Sequence, residues 1–256
     1  MARILIAGES WITTTTHIKG VDEFTANSYT EGVRQLRSAL EGGGHEVVHM
    51  PAHLVPTDFP SDRNELNKFD VVVLSDIGAN SLQLSPDVFE RSLPGADRIA
   101  ELVEWVLAGG RLVMIGGYLS FSGFQGRAAY ARTRIGEVLP VTLIDADDRV
   151  ERPAGALPVV TDPDHPALGG ASEPWPLLLG YNKTVLRNGA DELATIDGDP
   201  LVVVGRYGRG RSAVFTSDCS PHWAPPAFCE EWPGYAQLFN GLIEWLTSAE
   251  QVDSSR

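Results

Sequence analysis

Apolar residues along this chain follow two rhythms. Short unbroken apolar runs alternate with stretches whose apolar positions recur at helical spacing. "RILIAG" (3–8) is an unbroken run ending in glycine, the pattern of a strand buried on both faces. "SYTEGVRQLRSALEGGG" puts Val33, Leu36 and Leu40 on one helical face and stops at three glycines, which predicts a helix over 28–41. "HEVVHM" (45–50) and "DVVVLSD" (70–76) read as further strands. "DRIAELVEWVLAGG" places Ile99, Leu102, Val103 and Val106 at helical spacing and predicts a helix over 97–108. "RLVMIGG" then predicts a strand over 111–116. This order at these lengths implies an α/β fold with a doubly wound, mostly parallel sheet.

Beyond residue 140 the rhythm shortens. "VTLIDADDRVERP" and "LPVVTDPDHPAL" read as short extended pieces joined by polar turns. "PLVVVGRYGRGRSAVFTSD" reads as a β-hairpin whose turn is the glycine-rich 205–210. "YAQLFNGLIEWL" predicts a closing helix with Tyr235, Leu238, Phe239, Leu242 and Leu246 inward. Residues 1–248 are expected to form one domain, and 249–256 a frayed tail.

Composition narrows the function. The formal net charge is −14, which repels phosphate backbones and argues against nucleic acid as a partner. No segment is long and apolar enough to span a bilayer, and "MARILIAGES" is too short in its apolar run for a signal peptide. Two cysteines, Cys219 and Cys229, suggest neither a disulfide framework nor a zinc site, so a cytoplasmic location is expected. "GRYGRGR" has the composition of a phosphate loop but lies in a hairpin rather than before a helix, and no motif calls for a cofactor.

Ligands of open parallel sheets bind outside the carboxyl ends of the strands. That rule selects Glu9, Ser10 and Trp11 after the first strand, and Ser75 and Asp76 after the third. It selects Gly116, Gly117, Tyr118 and Ser120 after the fourth, and Ser217, Asp218, Cys219 and His222 after the last long one. Each has a structural reading as well. Asp218 can cap a turn, His222 can be a packed histidine, Tyr118 can be a wall, and Glu9 can pair with Lys19. Ser120 suits a turn cap better than a nucleophile. The functional reading makes His222, Asp218, Tyr118 and Glu9 catalytic, with Ser10, Trp11, Asp76, Gly116, Gly117, Ser120 and Cys219 lining a small-molecule substrate. Residues 9–24 read as a long functional loop. Its His17 and Asp22 could join Glu9 around a metal, but no spacing demands it, and no metal is assigned.

The blocks "AGESWITTTTHIKGVDEF", "VVVLSDIGAN", "LVMIGGYLSFSGFQG", "DDRVERP", "LLGYN" and "FTSDCSPHW" resemble a bacterial "putative glutamine amidotransferase" family. It lies within the class I glutamine amidotransferase-like superfamily, close to ThuA-like proteins. The resemblance runs from about residue 3 to residue 246. It implies a flavodoxin-like sheet with an elbow after a central strand, and copies that associate through surface helices into a homo-oligomer. It also implies a Gly-x-Cys-x-Gly nucleophile activated by histidine and glutamate. Here Gly116 falls on the first glycine, Tyr118 on the nucleophile and Ser120 on the last glycine. His222 matches the histidine, while Ala224 stands where glutamate belongs. The elbow is therefore expected to persist as geometry and to be remodelled as chemistry. Three functions follow: a small-molecule hydrolase or acid–base enzyme, a non-catalytic ligand-binding module, and an amidotransferase whose nucleophile has moved to Cys219.

Overall fold

The computed structural model describes residues 1–171 and 174–249; the expected tail therefore lies almost wholly outside the described residues. Strand β1 (Arg3–Gly8) is followed by β2 (Ser10–Lys19) and β3 (Asp22–Glu31), helix α1 (Arg34–Gly42) and β4 (Glu46–Met50). Two short helices, α2 (Val55–Asp58) and α3 (Arg63–Leu66), lead to β5 (Val71–Ser75). Two more, α4 (Ala79–Gln83) and α5 (Pro86–Phe89), precede α6 (Arg98–Leu107) and β6 (Arg111–Ile115). The remainder comprises β7 (Val141–Leu143), β8 (Arg149–Ala156), β9 (Pro158–Val160), β10 (Leu178–Asn182), β11 (Thr184–Leu186), β12 (Asp191–Ile196), β13 (Asp199–Tyr207) and β14 (Gly210–Phe215). Helices α7 (Pro226–Cys229) and α8 (Gly234–Thr247) close the chain.

The central sheet has eight strands in the order β4-β1-β5-β6-β14-β13-β12-β9. Neighbours from β4 to β14 are parallel, and those from β14 to β9 are antiparallel. The parallel part has the flavodoxin-like order, in which the chain leaves β1 to one side and then crosses to the other. Alternation along each strand feeds two cores. Ile4, Ile6, Val73, Val113 and Phe215 face α1 and α8 through Leu36, Leu40, Leu238, Phe239 and Leu242. Leu5, Ala7, Val72, Leu74, Met114 and Val214 face α6 through Leu102, Val103 and Val106. Both faces of the parallel strands are thus covered, which is why they read as unbroken apolar runs.

Two expectations need correction. Residues 9–24 are not a loop, and the first helix does not begin at 28. Ser10–Lys19 and Asp22–Glu31 pair over ten residues as an antiparallel ribbon, from Ser10 opposite Glu31 to Lys19 opposite Asp22. The ribbon belongs to no other sheet, and α1 starts only at Arg34. The reason is that the ribbon buries neither face, so its sequence has no hydrophobic period to betray it. The hairpin β13–β14, by contrast, forms as expected around the turn at Gly208.

Candidate functional site

Four parallel strands end side by side: β1 at Gly8, β5 at Ser75, β6 at Ile115 and β14 at Phe215. Glu9 and Asp76 follow the first two directly. Both adopt left-handed backbone, with φ 47° for Glu9 and 43° for Asp76. Such a conformation costs a residue with a Cβ about 1 kcal/mol or more, and persists only where the surroundings enforce it. For Glu9 the enforcement is visible. Its amide donates to the Ser75 carbonyl (3.0 Å) and its carbonyl accepts from Gly32 (2.8 Å). For Asp76, the amide donates to Ser120 Oγ (3.0 Å), and its Oδ1 accepts from the Leu119 amide (2.7 Å). The strained turns aim both carboxyl groups over the sheet edge.

Glu9 is buried, as are Asp218, Cys219 and Ser220 from the segment after β14. Ser75 Oγ donates to Glu9 Oε1 (2.6 Å) and lies 3.6 Å from Cys219 Sγ. Ser220 Oγ reaches Glu9 Oε2 at 3.4 Å, and Asp218 Oδ1 accepts from the Ser220 amide (3.1 Å). Burial, reinforced by Asp218 and Asp76, pushes the Glu9 carboxyl well above the usual range. Burial and Asp218 raise Asp76 to about 6, against the pull of the Leu119 amide and of His222. Burial, with Glu9 and Asp218 adding negative charge, pushes the Cys219 thiol well up. Acids pressed this close resist carrying charge together, so Glu9 holds its proton more tightly than a solvated glutamate does.

His222 stands at the mouth as the partner of Asp218. Its Nδ1 lies 3.4 Å from Asp218 Oδ2, and that carboxylate raises the imidazole above its ordinary value. His222 is 41% exposed at the side chain, whereas Asp218 is 5% exposed. The Tyr118 ring stands edge-on to His222 at 4.4 Å between centroids, and Trp223 stacks on His222 at 5.2 Å. Glu151 on β8 ties this wall together, accepting from Tyr118 Oη (2.9 Å) and from Trp223 Nε1 (3.0 Å). The Arg149 guanidinium covers the Phe124 and Tyr118 rings at 4.1 and 4.8 Å.

The turn after β6 carries a further correction. Gly116 and Gly117 make a sharp turn, with Gly117 at φ 146° and its amide donating to Asn182 Oδ1 (2.9 Å). No α-helix follows. The chain runs instead through short 3-10 turns at Phe124–Gly126, Tyr130–Arg132 and Arg134–Glu137. Tyr118 is not among the residues with positive φ, so it lacks the strained backbone that projects a nucleophile. The elbow is thus altered in geometry as well as in chemistry. Buried Asp148 holds the detour, accepting from the Ser122 amide, the Gly123 amide and Asn182 Nδ2, each at 2.8 Å.

Of the residues singled out from sequence, Glu9, Asp76, Asp218, Cys219, His222, Tyr118, Gly117 and Ser120 come together at this edge. Gly116 stands behind them, its amide bonded to the Phe215 carbonyl. Ser10 turns away, its Oγ accepting from the Ala52 amide (2.8 Å), whereas Trp11, partly exposed at the ribbon's base, lies over Gly32, where a Cβ would meet both Glu9 Oε2 (2.5 Å) and the Trp11 ring (3.1 Å). His17 stacks on Phe24, and Asp22 pairs with Lys19 near the ribbon's tip, so neither can share a metal with Glu9 at its base. The three ligand-type side chains that do converge, among the described residues, are Glu9, Asp218 and Cys219, within 4.8 Å of one another. Glu151, Arg149, Trp223, Asn182 and Asp148 were not singled out. Their only trace in the sequence is charge inside an extended stretch, "DDRVERP", and a tryptophan beside His222.

A flavodoxin-like sheet with its ligand-facing groups at the β1–β5 crossover, and a glycine turn after the next strand, defines a class I glutamine amidotransferase-like protein. The chain belongs to the family described as "Putative glutamine amidotransferase", whose model matches residues 3–248. A "cytoplasmic protein" of Salmonella typhimurium is 43% identical, with TM-score 0.91, covering 95% of this chain and 98% of its own. A second, from Salmonella typhimurium LT2, is 42% identical with TM-score 0.91, covering 96% and 100%. Their description agrees with the cytoplasmic location expected. A "putative ThuA-like protein" of Bacteroides uniformis shares the fold at 12% identity and TM-score 0.53, covering 97% of this chain and 92% of its own. A search of curated proteins gives no match. Among the described residues no helix is long and apolar enough to cross a membrane.

Proposed function

We propose that the site is an acid–base centre acting on a small polar substrate, as a hydrolase would, and that it is not a glutaminase. The observation that carries this reading is the pairing of exposed His222 with buried Asp218 at 3.4 Å, beside a carboxyl raised to about 6. With Nδ1 facing Asp218, the other ring nitrogen of protonated His222 is free to donate to a substrate. The Asp76 carboxylate takes a proton from water, the water oxygen attacks the substrate, and His222 gives its proton to the leaving group. Two groups whose surroundings hold their protons differently are what such a relay needs. Asp218 orients the imidazole and stabilises its charged form, while the raised proton affinity of Glu9 limits the charge that the buried pocket accumulates.

A glutaminase needs a thiolate aimed at the amide. Tyr118 occupies the elbow, and Cys219 sits fully buried between Glu9 and Asp218, which favour its protonated form. The expected result is no ammonia from glutamine above background.

The test is turnover on a panel of chromogenic esters, amides and glycosides. Wild-type protein is expected to turn over at least one class, and His222→Asn to lose about 10²–10⁴-fold in kcat. The falling limb of the pH profile should lie above the ordinary histidine value of about 6.5, because Asp218 raises His222, and the rising limb near the value of about 6 held by Asp76. Turnover unchanged in His222→Asn would sink the assignment. A wild type that binds panel members but converts none would favour the ligand-binding module.

A further inference from the structure

The ribbon β2–β3 has no use in the chemistry above. All of its residues except Ser10 are exposed. At roughly 3.3 Å per residue it extends about 33 Å from the site. Its base is fixed, by Ser10 on Ala52 (2.8 Å) and by the Tyr29 ring edge-on to His53 (5.4 Å). Beyond that base both faces are exposed. Ile12 and Ile18 share a face with Tyr29, and Phe24 shares the other with Trp11, the tyrosine and the tryptophan standing at the base. A lone two-stranded ribbon is marginal in water, and both its edges offer unpaired amides and carbonyls.

Charge says what can cover it. The chain carries −14 overall, so two copies repel across most of their surfaces. From Trp11 to Ile18 and from Phe24 to Thr30 there is no Asp, Glu, Lys or Arg. The two edges differ. Strand β3 carries Asp22, Glu23 and Glu31, while β2 carries no acid and the single cation Lys19. A second β2 can therefore approach the first without opposing acids.

We propose that β2–β3 is an assembly arm that pairs with the arm of a second copy of this chain, β2 against β2 about a two-fold axis. Self-pairing of antiparallel strands keeps side chains on matching faces only when the paired residue numbers sum to an even value. Centring the axis on Thr15 sets Ile12 opposite the partner's Ile18 and Trp11 opposite the partner's Lys19. The first pair joins two exposed isoleucines, and the second sets an ammonium beside an indole. The result is a four-stranded sheet with an isologous interface. The inference does not depend on the acid–base reading of the site.

The experiment is sedimentation of the full chain from low to high micromolar concentration, with three variants. Wild type should sediment at twice the mass of one chain or a higher multiple. Ile12→Lys, at an exposed position that cannot unfold the body, should lower that mass by half or more. Thr15→Cys should form a covalent dimer under mild oxidation, and Thr14→Cys several-fold less, the two native cysteines being buried. A wild type that stays a single chain throughout overturns the proposal, including one whose ribbon is protected from hydrogen exchange because it folds over its own site. An Ile12→Lys variant that keeps the wild-type mass also overturns it. Equal cross-linking at Thr14 and Thr15 overturns the register.

Discussion

The carboxyl ends of β1 and β5 and the carboxyl end of β6 lie next to each other and are built on opposite terms. At the first pair, acids occupy strained backbone beside Asp218, Glu9 buried and Asp76 half-buried. At β6, glycines absorb the turn, the following residue is an unstrained tyrosine, and the helix that would stabilise an attacking thiolate is missing. Strain and buried charge cost stability, so a fold keeps them only where something fixes them in place. In this chain they stand at the crossover of the sheet, one strand away from the position where a class I amidotransferase keeps its nucleophile. The elbow has become a wall.

The largest test of that contrast is at glycine. A Cβ on Gly8, at φ 109°, would lie 1.9 Å from the Ser75 carbonyl oxygen, which is backbone and cannot yield. Gly8→Ala should cost roughly 3–5 kcal/mol in a urea titration. Gly117→Ala meets Asp76 Oδ1 at 2.9 Å, a side-chain atom with some freedom, and should cost less, roughly 1–3 kcal/mol. Equal losses would remove the distinction between a rigid crossover and a forgiving wall.

Protonation sharpens it next. Asp76 rises on folding from 3.8 to about 6, so its contribution is fully present below the lower value and is lost as pH rises through the upper one. Asp76→Asn should therefore gain stability relative to wild type as pH climbs from about 4 to about 7, by roughly 1–3 kcal/mol at the end. Glu9→Gln should move in the same direction over a window that starts near 4.5 and extends further up. Denaturation curves of Asp76→Asn that track wild type at every pH would show that the acids do not compete for charge.

Thiol chemistry gives a third measurement. Native Cys219 should react with iodoacetamide about 10²-fold or more slowly than in urea, because burial and two carboxyl groups suppress its thiolate. Rapid alkylation of the folded protein at Cys219 would return the displaced nucleophile to contention. The smallest effect belongs to the wall. Tyr118→Phe loses one hydrogen bond, to Glu151 at 2.9 Å, and should cost about 1 kcal/mol of stability. Its turnover should fall by less than about tenfold, since a wall residue transfers no proton.

The parallel strands and α6 were legible because burial on both sides of the sheet leaves unbroken apolar runs and a clear helical stripe. The placement of Glu9, Asp76 and Asp218 was legible from the rule about strand ends. The high proton affinity of Glu9 and Asp76 was not, because it arises only when segments far apart in the chain bring acids together out of water. The ribbon was hidden for the opposite reason: a strand with no buried face has no alternation to read. The missing helix after Gly117 was hidden because Asp148 and Asn182 hold that detour from outside the segment.

The Ser220–Glu9 contact joins residues 211 apart in sequence, Ser75–Cys219 joins residues 144 apart, and Gly117–Asn182 joins residues 65 apart. Asp218 and His222 are close in sequence, but the contacts that enclose Glu9 and hold the glycine turn come from far along the chain. On a ribosome, the first carboxylate emerges long before the residues that will bury it, and during that interval Glu9 is an ordinary solvated acid. Contacts of such long range are closed late, after loop entropy has been overcome. The site should therefore be the last part of the molecule to form in a refolding experiment, with α6 and the β5–β6 pairing already protected when the environment of Trp223 becomes native.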